Sequence, residues 1–125
     1  MQEATVYPSL SQKVVFITGG ASGIGAAMVR AFAAQQAQVA FIDVDLDAAE
    51  TLQQELSSSQ LWFRQVDVRQ PSLLQKAIQD AAKDLGAFDV LVNNVANDKR
   101  QPTAEVTSMD WQQCMQVNLD PAFFA

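Results

Sequence analysis

The sequence predicts an α/β fold in which a doubly wound, parallel sheet carries helices on both faces. Short apolar runs rich in β-branched residues alternate along the chain with longer segments of helical period, an alternation typical of βαβ units. Apolar residues make up 49% of the 125 positions, so a chain of this length can bury one core. We therefore expect a single domain over residues 1–125, of which residues 1–12 form an N-terminal leader.

Four apolar runs are the expected strands, and they lie at residues 14–18, 39–43, 61–66 and 88–93. The first run is apolar without alternation, which indicates a central strand covered by helices on both faces. Right-handed crossover connections place the strands in the order 3-2-1-4. This is the order of one mononucleotide-binding half of a Rossmann sheet together with the first strand of the second half.

Apolar residues at helical spacing predict the helices that connect these strands. In the first helix, Ile24, Met28 and Phe32 share one face, so we expect them to pack on the sheet. A second, more polar helix is expected at residues 45–57. The third begins at Pro71, a residue that suits the first turn of a helix. Its apolar stripe consists of Leu74, Ala77, Ile78, Ala81 and Leu85.

The last helix is expected to begin near Ser108. One of its faces consists of Trp111, Met115, Asn118 and Ala122. Asn118 is the polar residue of that face, and a buried Asn needs hydrogen-bond partners, so it either ties the helix to the sheet or serves the active site. Pro121 cannot donate to the carbonyl group of Val117, so a kink beside Asn118 is also expected.

The composition argues against several classes of protein. The net charge is −6, and the eight Lys and Arg residues form no basic stripe, so nucleic acid is not an expected partner. No apolar run reaches the roughly 18 residues of a membrane span, and no signal-peptide pattern is present, so we expect a cytoplasmic protein without a membrane partner. One cysteine and no histidine exclude disulfides, Cys/His zinc sites and Ser-His nucleophile pairs within these residues, and no metal site is expected.

The sequence Thr-Gly-Gly-Ala-Ser-Gly-Ile-Gly follows the first strand and opens the first helix. A side chain in such a turn would block both the tight bend and the approach of a pyrophosphate to the amides at the helix N-terminus. The residues expected to hold the pyrophosphate are Gly19, Ser22, Gly23 and Ile24. Gly25 would let the helix pack closely on the strand. The alternative is a glycine-rich turn that only starts a helix, and the lack of a following Gly-Lys-Ser/Thr excludes a P-loop.

Asp43 closes the second strand about 20 residues beyond the glycine turn, where a carboxylate can accept hydrogen bonds from the adenosine ribose. The same charge would repel the 2′-phosphate of NADP. Neither the glycine turn nor Val44 supplies a basic residue that could hold such a phosphate, so the sequence favours NAD as the cofactor. The alternative is a carboxylate that caps the next helix, a role that Asp45 could fill instead.

These features together resemble the short-chain dehydrogenase/reductase family. The family has this glycine pattern, an Asp-Val pair, found here at residues 67–68, an Asn-Asn-Ala-Gly turn and a helical Asn. In this chain the turn reads Asn-Asn-Val-Ala at residues 93–96, and the helical Asn lies in Val-Asn-Leu at residues 117–119. With Asp43 at the end of the second strand these make five matched elements in the right order, and they extend the resemblance over the chain from about Tyr7.

The resemblance also implies roles for single residues. Asp67 and Val68 would contact the adenine, whereas an Asp after a strand is otherwise often only a turn residue. Asn94 and Ala96 would line the cofactor site, although adjacent amides can instead bond neighbouring backbone. Asn118 would support a proton relay to a catalytic lysine and is the one candidate catalytic residue.

The resemblance implies a hydride-transferring enzyme whose chemistry lies beyond these residues. The family's Ser and its Tyr-x-x-x-Lys follow the helical Asn, and the only tyrosine here is Tyr7. We expect an incomplete Rossmann domain, truncated after the fourth strand and the following helix, that by itself is inactive and prone to association. The whole protein would be an NAD-dependent dehydrogenase of alcohol or carbonyl substrates and a homo-oligomer. A nucleotide-binding or interaction module without catalysis is the alternative.

Two segments are similar to those of sugar 1-dehydrogenases within the family. They are residues 7–10, Tyr-Pro-Ser-Leu, and residues 97–100, Asn-Asp-Lys-Arg. Gln101 stands where we expect a His in that group. These segments imply a sugar substrate, and the alternative is that the second one is only a solvated polar loop.

Overall fold

The computed structural model describes residues 5–125, so the first four residues of the predicted leader lie outside the described part. The strands are β1 (Val14–Thr18), β2 (Gln38–Asp43), β3 (Leu61–Gln65) and β4 (Val90–Val92). The helices are α1 (Gly23–Ala34), α2 (Leu46–Glu55), α3 (Pro71–Leu85), α4 (Ser108–Asn118) and α5 (Asp120–Phe124). Short 3₁₀ turns occupy Pro8–Leu10 and Thr103–Glu105. No helix in the described part is long and apolar enough to cross a membrane.

The four strands form one parallel sheet in the order β3-β2-β1-β4, as the sequence predicts. In the register, Val15 of β1 stands between Val39 of β2 and Val90 of β4. All five residues of β1 are buried, which confirms that it is the central strand. β4 has three residues and is shorter than the expected run.

Helices cover both faces of the sheet, and the alternation of side chains along the strands separates two apolar layers. Ile17 and Phe41 point to the layer that also contains residues of α1 and α2, such as Leu52. Phe16 points to the opposite layer, which contains Leu74 and other residues of α3. The doubly wound α/β architecture is therefore confirmed.

The buried face of α1 differs from the expected one. It consists of Gly25, Ala26, Val29 and Ala33. Ile24 is 75% exposed, so its predicted packing on the sheet is wrong, and Met28 and Phe32 are only partly buried at the edge of the layer. The reason is that small residues let the helix backbone come closest to the sheet along their own face, which turns the larger side chains outward.

The last helix is broken, as Pro121 predicts. α4 ends at Asn118, and α5 begins at Asp120 with Pro121 in its first turn. Asn118 is exposed and not the buried residue that the sequence analysis considered, and no residue of α4 is buried; Trp111 of the same face is 60% exposed. Among the described residues, α4 lies mainly against α5 and lacks a covering layer.

Candidate functional site

The glycine turn is fixed to the second strand by its own backbone. The amides of Gly19 and Gly20 both donate to the carbonyl oxygen of Ile42, at 2.8 and 3.2 Å. A Cβ atom on Gly25 would lie 1.8 Å from the carbonyl oxygen of Gly19, so α1 directly touches the turn. This contact agrees with the close helix packing predicted for Gly25.

The N-terminal end of α1 is open at the point where the glycine turn meets the helix. Gly23 has a φ of +56°, and a Cβ atom built on it would meet nothing within 4 Å. Ser22 occupies the N-cap position without making a side-chain capping hydrogen bond, and the first helical turn contains no acidic residue. Unpaired amides at a helix N-terminus attract anions, so this end of α1 has the geometry and the charge for a phosphate group.

A cleft of about 440 Å³ lies at the carboxyl ends of the strands. Its walls contain seven of the predicted site residues, namely Gly19, Ser22, Asp43, Asp67, Val68, Asn94 and Ala96. Gly23 and Ile24 are exposed and adjoin Ser22 without being in the wall, and Gly25 is buried beneath the turn. The residues that the sequence analysis missed are Val44, Val66, Arg69, Val95, Asn97 and Val117. All six are direct chain neighbours of predicted site residues, which made them candidates but did not show on which side of the chain their side chains lie.

The carboxylate of Asp43 links two turns of the cleft. Its Oδ2 accepts from the amide of Ala21 at 3.0 Å, and its Oδ1 accepts from the amide of Asp45 at 3.0 Å. The N-cap of α2 is Asp45, whose side chain accepts from the amide of Ala48. Asp43 therefore does not cap the helix. Each of its oxygens keeps further acceptor capacity toward the cleft.

Asp67 is paired with Arg69, two residues further along the chain. Its Oδ1 accepts from the backbone amide of Arg69 at 2.9 Å, and the guanidinium group contacts both carboxylate oxygens, the shortest contact being 2.6 Å. These hydrogen bonds with Arg69 lower the pKa of the Asp67 carboxyl group. Asp67 thus also serves as a turn residue. Arg69 is the basic side chain of the cleft wall within the described residues.

Thr18 holds the turn that follows β4. Its hydroxyl oxygen accepts from the amides of Asn94 and Val95, at 3.0 and 3.3 Å, and donates to the carbonyl oxygen of Val92 at 3.5 Å. The side-chain amide of Asn94 donates to the carbonyl oxygen of Gly19 at 3.1 Å. Part of the role of Asn94 is therefore structural. Thr18 is the buried polar residue of the described core, and sequence analysis gave it no role.

Asn118 ties α4 to the loop after β4. Its Oδ1 accepts from the amide of Asn97 at 2.7 Å, and its Nδ2 donates to the carbonyl oxygen of Asn97 at 2.9 Å. A further contact joins Nδ2 to the Sγ of Cys114 at 3.3 Å. Of the two expected roles, the structure supports a tie, but one that joins the helix to the loop after β4 and not to a strand of the sheet. The catalytic role of Asn118 stays a prediction.

A second, larger cavity of about 600 Å³ adjoins the cleft. It lies between α4 and the loop of residues 97–101, whose Lys99 and Arg100 are in its wall. Arg69 and Asn97 line both spaces, so the cleft and the cavity are neighbours. The loop that resembles the sugar 1-dehydrogenases thus borders the predicted cofactor site.

Curated relatives match nearly the whole chain but only part of their own length. A probable galactose dehydrogenase of Rhizobium meliloti is 40% identical over 121 residues, which are 94% of this chain and 47% of the relative. A D-xylose 1-dehydrogenase of Caulobacter vibrioides is 40% identical over 123 residues, or 97% of this chain and 48% of the relative. The chain therefore spans about half the length of the curated relatives it matches.

Solved structures match the fold. A short-chain dehydrogenase/reductase of Serratia marcescens superposes with a TM-score of 0.89 and 32% sequence identity over 95% of this chain and 49% of its own. A blue fluorescent protein from a metagenomic library, solved in complex with NADPH, has a TM-score of 0.87 and 39% identity over 93% of this chain and 49% of its own. The sequence profile of the short chain dehydrogenases matches residues 13–125. The chain belongs to the short-chain dehydrogenase family.

Proposed function

We propose that the whole protein is a dehydrogenase that moves a hydride between NAD and an alcohol or carbonyl carbon, and that the described cleft binds the adenosine diphosphate half of the cofactor. The observation that carries this proposal is the cleft itself, because it brings the glycine turn, Asp43 and Asp67 to one edge of a parallel sheet. In open α/β sheets, ligands bind at the carboxyl ends of the strands, where the strand order reverses. The bound nicotinamide would supply the hydride chemistry.

The residues present fit such a cofactor. The open space at Gly23 and the uncapped start of α1 offer backbone amides to the pyrophosphate. Asp43 has acceptor capacity for the ribose hydroxyl groups beside its two backbone donors. The buried side chains of Val66 and Val68 line the cleft and offer an apolar surface to the adenine. Asp67 would accept from the adenine amino group in place of one of its four hydrogen bonds from Arg69.

The preference for NAD over NADP depends on Asp43. We expect the unmodified whole protein to use NAD more efficiently, because the carboxylate repels a 2′-phosphate. Replacing Asp43 with Ala should relax this preference, measured as the ratio of kcat/KM for the two cofactors. Asp47→Ala is a matched control, since Asp47 lies in the first turn of α2 outside the cleft wall. Equal efficiency of the unmodified protein with both cofactors would contradict the proposal.

We propose a sugar as the substrate class. Two relatives carry the names of galactose and xylose dehydrogenases, and the loop of residues 97–101 borders the cofactor cleft. The test is NAD reduction by the whole protein with a panel of aldoses and simple alcohols. Turnover of simple alcohols with no aldose activity would reject the sugar while leaving the dehydrogenase proposal intact.

The proton chemistry is proposed to lie beyond residue 125. Hydride transfer to or from an alcohol needs a proton donor and acceptor, and residues 1–125 contain no Tyr-x-x-x-Lys. We propose that residues 1–125 alone are inactive, that Asn118 supports a relay in the whole protein, and that the whole protein forms a homo-oligomer in the cytoplasm. The alternative, a nucleotide-binding module without catalysis, predicts that the whole protein binds NADH but turns over no substrate.

A further inference from the structure

Arg69 occupies a position in the cleft that the proposed cofactor site leaves without a role. It lines both the cleft and the adjoining cavity, and it is the basic residue of the cleft wall in the described part of the chain. The acidic residues of that wall are Asp43 and Asp67. Within the cleft, the guanidinium group of Arg69 is therefore the positive charge available to an anionic group, whereas Lys99 and Arg100 lie in the wall of the adjoining cavity.

Stability of the fold does not explain the geometry of Arg69. Its guanidinium group contacts both oxygens of Asp67, but the Arg69 side chain is 58% exposed. Exposed ion pairs of this kind contribute little to folding because water and salt screen them. What the pairing does is hold the guanidinium group in one place, with its hydrogen bonds directed at Asp67 and away from other acceptors.

The segment that leads from β3 to the pair runs beside Asp43, the residue that is expected to bind the ribose. The amide of Val66 donates to the carbonyl oxygen of Asp43 at 3.1 Å, and the side chain of Gln65 donates to the carbonyl oxygen of Val44 at 3.0 Å. The ends of β2 and β3 therefore run side by side. Asp43, the last residue of β2, and Arg69, four residues beyond the end of β3, line the same cleft with opposite charges.

We propose that Arg69 is a specificity-determining residue that can hold the 2′-phosphate of NADP, and that Asp67 restrains it. The inference rests on the proposed cofactor site. A phosphate would compete with the Asp67 carboxylate for the same guanidinium donors, since each group can accept two parallel, charge-assisted hydrogen bonds from an arginine. Selectivity is then a balance in which Asp43 repels the phosphate, Arg69 attracts it, and Asp67 decides how much of that attraction is available.

The test measures the dissociation constants of NADH and NADPH for the whole protein by fluorescence titration. Arg69→Gln should raise the ratio of the NADPH constant to the NADH constant about tenfold, the effect of losing one charge-assisted hydrogen bond. Arg69→Lys should restore part of the loss. Asp67→Asn should lower the ratio, because it releases Arg69 to the phosphate. In the Asp67→Asn/Arg69→Gln double variant the ratio should rise again. The ratio cancels any change in the adenine contact, which both cofactors share.

Arg30→Gln is the matched control, because Arg30 is a similarly exposed arginine, paired with Glu55 at a distance from the cleft wall. Each variant is also made with Asp43→Ala, which should bring NADPH binding into a measurable range. An unchanged ratio in Arg69→Gln, or one equal to that of Arg30→Gln, would overturn the role of Arg69 while the cofactor site stands. Failure of the unmodified protein to bind either cofactor would instead overturn the proposed function.

Discussion

The two walls of the cleft are built differently. On the side of the glycine turn, every residue of β1 is buried, and so are the four central residues of β2. On the opposite side, β4 has no buried residue, Leu91 is 42% exposed, and α4 contributes nothing to the core. One wall thus rests on close apolar packing from both faces of the sheet, whereas the other has little packing of its own.

Hydrogen bonds hold the second wall in place, whereas apolar packing holds the first. Thr18 holds the turn after β4 through the amides of Asn94 and Val95, and Asn118 holds α4 through both backbone groups of Asn97. The residues predicted to contact the pyrophosphate and the ribose are therefore supported by buried, closely packed strands. The wall that faces them depends on a few directional polar contacts, which single substitutions can remove.

The largest effect is expected at Gly25, on the packed wall. Gly25→Ala should lower the free energy of unfolding by at least about 3 kcal/mol, because its Cβ atom would collide with the backbone oxygen of Gly19. Gly23→Ala is the comparison, since its Cβ atom meets open space and only a strain of about 1 kcal/mol from the positive φ is expected. Gly23→Val should leave the sheet folded and abolish NADH binding.

Urea unfolding and NADH titration of the whole protein check both statements. If Gly23→Ala unfolded the protein as strongly as Gly25→Ala, the distinction between a packing glycine and an open one would be wrong. Undiminished NADH binding by Gly23→Val would reject the assignment of the turn to the pyrophosphate.

Apolar truncations should separate the two walls directly. Ile17→Ala removes a fully buried side chain of β1 and should cost about 3 kcal/mol of unfolding free energy. Leu91→Ala in β4 should cost about 1 kcal/mol or less in residues 1–125, because the side chain is already partly in water. Urea titrations of both variants check the difference. Equal losses would show that β4 is as well packed as β1.

Thr18→Val tests the hydroxyl group that joins the walls. The substitution keeps the shape of the side chain and leaves the amides of Asn94 and Val95 without their acceptor, so a loss of about 2 kcal/mol is expected. NADH binding should also weaken, because the released turn lines the cleft. Thr51→Val on the surface of α2 is the matched control, with an expected change within about 0.5 kcal/mol. If thermal unfolding showed the same loss of stability in Thr18→Val and Thr51→Val, the role of Thr18 would be wrong.

A small effect on stability is expected at Asn118. Asn118→Ala removes two hydrogen bonds to the backbone of Asn97, but the site is exposed and water can replace them, so about 1 kcal/mol should be lost. Gln116→Ala, at another exposed position of α4, should change nothing measurable. If Asn118 also supports a relay, the kcat of the Asn118→Ala variant should fall even under conditions in which the variant is fully folded. An unchanged kcat would limit Asn118 to its structural tie.

The failures of sequence analysis have a common physical cause. The expectation for α1 placed its largest apolar residues on the sheet, but the helix approaches along Gly25 and Ala26, and Ile24 is turned outward. Apolar periodicity identifies a helix and a possible buried face. How closely α1 approaches the sheet, and along which face, is set by its contact with the glycine turn. Arg69 was missed for a related reason: it follows Val68 directly in the chain, but adjacency does not say on which side of the turn a side chain lies, and only the fold places Arg69 in the cleft wall.

The sequence by itself determined the strand order, the helix positions and the family, because apolar periodicity, glycine spacing and crossover handedness are local or nearly local properties of the chain. It also identified most residues of the cleft, since the carboxyl ends of parallel strands must meet at one edge. The tertiary structure alone decided that Thr18 and Asn118 hold the second wall, and that Arg69 is engaged by Asp67. Those partners depend on distances of a few ångströms between segments far apart in sequence or on side-chain directions, and neither is encoded in residue spacing.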